Sequence, residues 1–211
     1  MKSKIVFTIF LFCAAISLLQ GQTAAEMFIK LPESAFLPLT VANRTDLISL
    51  YKAGKNATVK NRLDDSCYLL RLTDDYLQIR AGNNTMELFL LPMINDSKTV
   101  GLIQTVCAPA CDSHLEFYTT AWKKLSTPTF ITLAGKYDFL KEGIRPEDEK
   151  VKNALIPLDI SLMQLRYDPD NRELQQYYTT PDYLSEPERA GIKPYLNEVP
   201  KRFKWNFVRF E

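Results

Sequence analysis

Cys107-Ala108-Pro109-Ala110-Cys111 sits at the tip of a hairpin pattern that the chain writes twice. Sixty positions on, Leu102, Gln104, Pro109, Tyr118, Thr119 and Thr120 recur without a gap as Leu162, Gln164, Pro169, Tyr178, Thr179 and Thr180. In the second copy Tyr167 and Asn171 stand where the cysteines stand in the first, and Asp168-Pro169-Asp170-Asn171 is ordinary turn chemistry. The cysteines therefore read as a clip on a turn, and the chain as two related halves. One feature counts against a strict repeat. Leu115 and Phe117 alternate in one phase, Leu174, Gln176 and Tyr178 in the other, and a slip of one residue turns every side chain over.

Outward from this hairpin the period is two from Ala57 to Thr120. Breaks fall at Leu63-Asp64-Asp65-Ser66, Thr73-Asp74, Gly82-Asn83-Asn84, Asn95-Asp96-Ser97 and the cysteine turn. Met86, Leu88 and Leu90 alternate with Glu87 and Phe89, which predicts an antiparallel meander with one covered face and one mixed face. Before it, Leu31-Pro32 to Leu37-Pro38 reads as extended or looped chain. A short helix follows, capped by Asn43 or Thr45 and stopped at Gly54. After it, Ser126 to Asn153 is the least legible stretch and is taken as a connector, its charged run Arg145 to Lys150 solvated between the halves. The second hairpin spans strands near Leu158–Tyr167 and Leu174–Thr180, a helix starts near Ser185, and Lys201 to Phe210 closes the chain as a strand. The fold class predicted is α+β: a mainly antiparallel β meander in two similar halves with short helices packed on the sheet. The divisions are 1–25 signal peptide, 26–125 first half, 126–153 connector and 154–211 second half packed against the first.

Lys2 and Lys4 precede an uninterrupted apolar and small run from Ile5 to Leu19, the composition of a secretory signal peptide. The run is shorter than the ~20 residues of a membrane-spanning helix, so no transmembrane span is expected once the signal is removed. Thr23 and Ala25 form a small-residue pair for cleavage before Glu26, and cleavage after Gly21 is the rival. The chain carries 26 basic and 25 acidic residues, and loss of Lys2 and Lys4 brings the balance to −1. The remaining basic residues are scattered except at the C-terminus, which excludes a nucleic-acid footprint.

Export leaves Cys67, Cys107 and Cys111. An odd count leaves one thiol over. Cys107 with Cys111 is the first pairing, with Cys67 a free thiol on a buried strand; Cys67 with either of the others is the rival. Cys107, Cys111 and His114 could supply three ligands to a soft metal, but an oxidising compartment favours the disulfide, and no metal or cofactor is expected. Asp168, Asp170, Asn171 and Glu173 lack calcium-loop spacing, and no phosphate loop, nucleophile elbow or zinc-protease helix is present. No catalytic residue can be named. Phe203, Trp205 and Phe207 form a period-two aromatic row that either stacks on a ligand or completes a core, and the core is the expectation for all three.

The segments Leu72-Thr73-Asp74-Asp75-Tyr76-Leu77-Gln78-Ile79-Arg80, Thr105-Val106-Cys107-Ala108-Pro109-Ala110-Cys111-Asp112-Ser113 and Phe117-Tyr118-Thr119-Thr120-Ala121-Trp122 resemble an uncharacterised family of exported Bacteroidales proteins, known only as a domain of unknown function. The resemblance covers nearly the whole mature chain. It implies a periplasmic or cell-envelope setting and no site. The expectation is a non-enzymatic binding or structural protein with an envelope protein or a glycan as partner. The alternatives are a carboxylate-dependent hydrolase of envelope carbohydrate or peptide, and a protein inhibitor.

Overall fold

Strong β-formers separated by Asn, Asp and Gly turns give one continuous antiparallel sheet in strand order β1 to β7: Thr58–Lys60, Ser66–Leu72, Tyr76–Ala81, Asn84–Pro92, Lys98–Cys107, Cys111–Thr119 and Lys124–Leu125. A second sheet has the order β10-β9-β8, from Met163–Asp168, Glu173–Tyr178 and Lys201–Lys204. Among the described residues five short α-helices accompany them: α1 Ala24–Ile29, α2 Val41–Lys52, α3 Thr127–Phe130, α4 Glu149–Ala154 and α5 Glu186–Ile192. The computed structural model describes residues 22–35 and 39–211. The architecture is α+β and mainly antiparallel, as the periodicity predicts.

Both faces of the large sheet are covered at its centre, where one covered face was expected. Helices α1 and α2 lay Met27, Phe28, Leu47 and Ile48 against Ile79, Met86, Leu88 and Leu102. On the other face Phe89, Ile103, Leu115 and Phe117 meet Leu165, Tyr167 and Leu174 of the second sheet. Glu87, whose charge marks a solvent-facing position in the sequence, is 4% exposed on this second face.

The hairpins are both real, but the halves are not similar in size: seven strands stand against three. The likeness also stops at the register. Cys107 pairs with Cys111 across three turn residues, whereas Asp168 pairs with Glu173 across four. Tyr167 therefore faces Leu174, and Asn171 lies in the loop. That extra residue reverses the phase of the returning strand and accounts for the mismatch noted above.

Helix α1 precedes the Leu31–Pro38 stretch; within that stretch Glu33–Ala35 form a 3-10 turn, and residues 36–38 lie outside the described residues. Thr23 caps α1, its hydroxyl accepting from the Glu26 N–H, and Ala24 and Ala25 are buried. The expected signal segment up to Gly21 lies outside the described residues. Helix α2 starts one turn early, because Thr40 is its cap and accepts from the Asn43 N–H at 3.1 Å. Asn43 reaches back to the Thr40 N–H, and Thr45 donates to the Val41 carbonyl instead of capping. Arg44, 1% exposed, threads under α1 and donates to the carbonyls of Phe28 and Leu31, satisfying acceptors that the end of a helix leaves open.

The charged run of the connector is solvated, and the stretch before it is only partly so. Arg145, Glu147, Asp148, Glu149 and Lys150 are exposed, but Phe130, Ile131 and Phe139 are buried. Gln176, fully buried, fixes this stretch by donating to the Ala134 carbonyl at 2.8 Å and accepting from its N–H at 2.9 Å.

Candidate functional site

The second sheet stands with one edge against the large sheet. Along β8 the N–H groups of Met163, Leu165 and Tyr167 point away from β9, and each finds a side chain: Asp112 at 3.1 Å, Ser113 at 2.9 Å and Glu87 at 3.1 Å. A free strand edge in a core would leave these donors unpaired at ~1–3 kcal/mol each. The same Glu87 oxygen accepts from the Tyr76 hydroxyl at 2.8 Å. Burial pushes the Glu87 carboxyl above its ordinary range, with these two hydrogen bonds and Arg166 pulling the other way.

Alternation then fixes what the sheet presents outward. With Leu165, Tyr167 and Leu174 inside, the opposite face carries Gln164 and Arg166 from β8, Glu173, Gln175 and Tyr177 from β9, and Arg202 and Lys204 from β10. These side chains are exposed or half-exposed and bonded in a chain. Arg202 donates to Glu173 at 2.6 Å, Gln175 to Glu173 at 3.1 Å and the Tyr177 hydroxyl to Gln175 at 2.8 Å. The Arg166 guanidinium lies 5.2 Å over the Tyr177 ring and donates to Gln164 at 3.1 Å. Gln164 and Tyr177 are cross-strand partners.

That pair forms one wall of a groove of about 570 Å³, whose opposite wall comes from Asp182, Glu186 and Lys193 and whose floor includes Ile192 and Leu196. Helix α5 is positioned for this by its cap: the Glu188 carboxylate accepts from the Ser185 N–H at 3.0 Å and hydroxyl at 2.6 Å, which lowers its pKa. Arg189 ties the helix to the preceding turn by donating to the Pro181 carbonyl at 3.0 Å. Proline at the first turn starts α5 as the sequence implies, and the helix ends before Pro194.

The carboxylates with displaced pKa values do not make an acid–base pair. Burial by itself would raise Glu116, but hydrogen bonds from Lys124, Tyr118 and His114 outweigh it and hold the carboxyl at about 2. Glu116 pairs with Leu102 on the helix side of the sheet, whereas Glu87 shares the opposite face with Ile103 and Leu115. Neither lines the groove. Among the described residues no three metal-ligating side chains cluster. Cys107 and Cys111 are joined as a disulfide with Cα atoms 3.9 Å apart, and Cys67 is a buried free thiol whose pKa burial raises.

The aromatic row expected in the core divides. Trp205 is 4% exposed, its indole N–H donating to the Pro92 carbonyl at 2.8 Å, and Phe203 is half-buried beside it. Phe207, 45% exposed, is not a core residue. The strand stops at Lys204, and Asn206 accepts from the N–H groups of Val208 and Arg209, turning the chain with Phe207 at φ +70°. The aromatic ring at the candidate surface is Tyr177, and its sequence signal is the planar polar set Gln164, Arg166, Gln175 and Tyr177 alternating with aliphatic and aromatic core positions.

No helix of the described residues is long and apolar enough to cross a membrane. A search of curated proteins finds no match. Among solved structures, the chain is similar to a domain of an uncharacterized protein from Porphyromonas gingivalis W83. The two share 25% identity over 90% of this chain and 98% of that one, with a TM-score of 0.80. Residues 16–210 match a family model, and the chain belongs to the family described as "Protein of unknown function (DUF3256)".

Proposed function

We propose that the protein is exported, to the periplasm or the cell envelope, and binds a saccharide there without catalysing a reaction on it. Lys2, Lys4 and the apolar run from Ile5 to Leu19 support export. Burial of Ala24 and Ala25 favours cleavage after Gly21 over cleavage after Ala25, which would remove the cap of α1 and two core residues. N-terminal sequencing of the exported protein tests this: a first residue of Gln22 is expected.

The observation that carries the binding reading is the tyrosine–amide–guanidinium network running into the groove. Planar amides and guanidinium groups meet sugar hydroxyls in fixed directions, and a tyrosine ring offers an apolar face to a pyranose. A volume of about 570 Å³ falls within the ~300–1,000 Å³ of small-ligand sites. Binding of the mature protein to a glycan array, with Tyr177→Ala beside it, is the test. Retention of wild-type binding by a folded Tyr177→Ala protein removes the groove from the proposal. Asp182, Glu186 and Glu198 on the groove keep a carboxylate-dependent hydrolase as the second reading. Release of reducing ends from a bound oligosaccharide, lost in Glu186→Gln, would establish that alternative.

A further inference from the structure

We infer that the saccharide taken by this surface is singly acidic, with its neutral units in the groove and its acidic group beside Arg166. This rests on the binding reading above and adds to it the charge and orientation of the ligand. The outer face of the second sheet has a cationic end. Arg202 neutralises Glu173 at 2.6 Å, and Asp168 is turned into its own loop, accepting from the N–H groups of Asp170 and Asn171. Among the described residues neither Arg166 nor Lys204 lies within ion-pairing distance of a carboxylate.

Arg166 is also held in place. Its guanidinium lies over the Tyr177 ring and spends one donor on Gln164, so the other N–H groups are presented as a fixed fork of the kind that takes a carboxylate. Gln164 lines the groove, which puts the fork at the groove's rim. The rest of the groove lining has a net charge of the opposite sign: Asp182, Glu186 and Glu198 stand against Lys193 and Arg189, and the Arg189 guanidinium is turned to the carbonyls of Pro181 and Asp182. A polyanion laid through the groove meets repulsion along that lining. One acidic group at the sheet end, followed by neutral sugars hydrogen-bonded across the groove, satisfies both walls.

The test is titration calorimetry at low salt with glucuronosyl-xylotriose, neutral xylotetraose, tetragalacturonate and a glutamate-rich peptide. A glycan array carrying neutral, singly acidic and polyanionic oligosaccharides accompanies it. Singly acidic saccharides are expected to bind about tenfold tighter than neutral ones of equal length. Arg166→Gln should abolish that preference, so that singly acidic and neutral saccharides of equal length bind the variant alike, with the melting temperature unchanged, and Lys204→Gln should reduce the preference less. Equal binding of neutral and acidic saccharides, lost in Tyr177→Ala, overturns the inference and leaves the binding reading standing. Stronger binding of polyanions overturns the orientation, and equal binding of the glutamate-rich peptide overturns the saccharide assignment. Absence of saccharide binding overturns both readings.

Discussion

Gly101→Ala tests how the second sheet is seated. Gly101 is the cross-strand partner of Phe89, and a Cβ built there would lie 2.2 Å from two atoms of the Phe89 ring. Ordinary contact begins near 3.4 Å, so the ring would have to move by about 1.2 Å. It has no room. Its plane is stacked on Tyr167 at 4.0 Å and 12°, and Phe210 meets it edge-on at 6.5 Å. Overpacking of this kind costs ~1–3 kcal/mol, offset by the ~0.4–1 kcal/mol that alanine gains from a less flexible unfolded chain. The expected net loss is about 1–2 kcal/mol, or about 3–6 °C in Tm for a chain of this size. Urea denaturation followed by the fluorescence of Trp122 and Trp205 measures it. Phe89→Leu removes the clash, so the loss in the double variant should be smaller than the sum of the single losses by at least ~0.5 kcal/mol. A neutral Gly101→Ala, or strictly additive losses, would refute the account of the seam.

Four further outcomes are expected. Glu87 is raised by burial, so its contribution is fully present below the unfolded carboxylate value of ~4.3 and is lost as pH rises through its folded value. Glu87→Gln should therefore flatten the fall in Tm with rising pH above ~4.3. Glu116 is lowered to about 2, so its contribution is present above ~4.3 and lost as pH falls toward 2; Glu116→Gln should reduce the acid limb of the same Tm profile. Trp205→Ala should cost ~3–5 kcal/mol in urea denaturation through the cavity it leaves and the stranded Pro92 carbonyl. Cys107→Ser should cost about 2 kcal/mol by the same measurement, since a loop closed over so few residues removes little unfolded-state freedom.

The strands of the meander were legible because the turns from β1 to β5 are written in Asn, Asp, Gly or Ser at the point where the period breaks, and the turn from β5 to β6 by Pro109 between two cysteines. What misled was local ambiguity. Thr40, Asn43 and Thr45 are all good cap types, and only packing selects Thr40. Helix α1 is six residues long and its first residues share the small apolar composition of the leader before them, so no period announces it. The aromatic alternation Phe203, Trp205, Phe207 continues through a turn made by the Asn206 side chain, which ends the strand without breaking the pattern. The docking of β8 was invisible, because its N–H groups reach Asp112, Ser113 and Glu87 across 51 to 80 residues of chain.

That docking is also why the outer face is more ordered than the sequence alone implied. Solubility asks only for charged and hydroxyl side chains on an exposed strand, yet the outward positions beside the groove are two glutamines, an arginine and a tyrosine already bonded to one another. Their order is inherited from the buried side of the same strands. Glu87 and Ser113 hold the edge of β8, Phe89 stacks on Tyr167, and Gln176 locks β9 to Ala134. A strand fixed at its edge, its inner face and its partner cannot slide or roll, so under the proposed binding the outward side chains would lose little further freedom to a ligand. Rigidity that the core requires is thereby passed to a surface the core does not use.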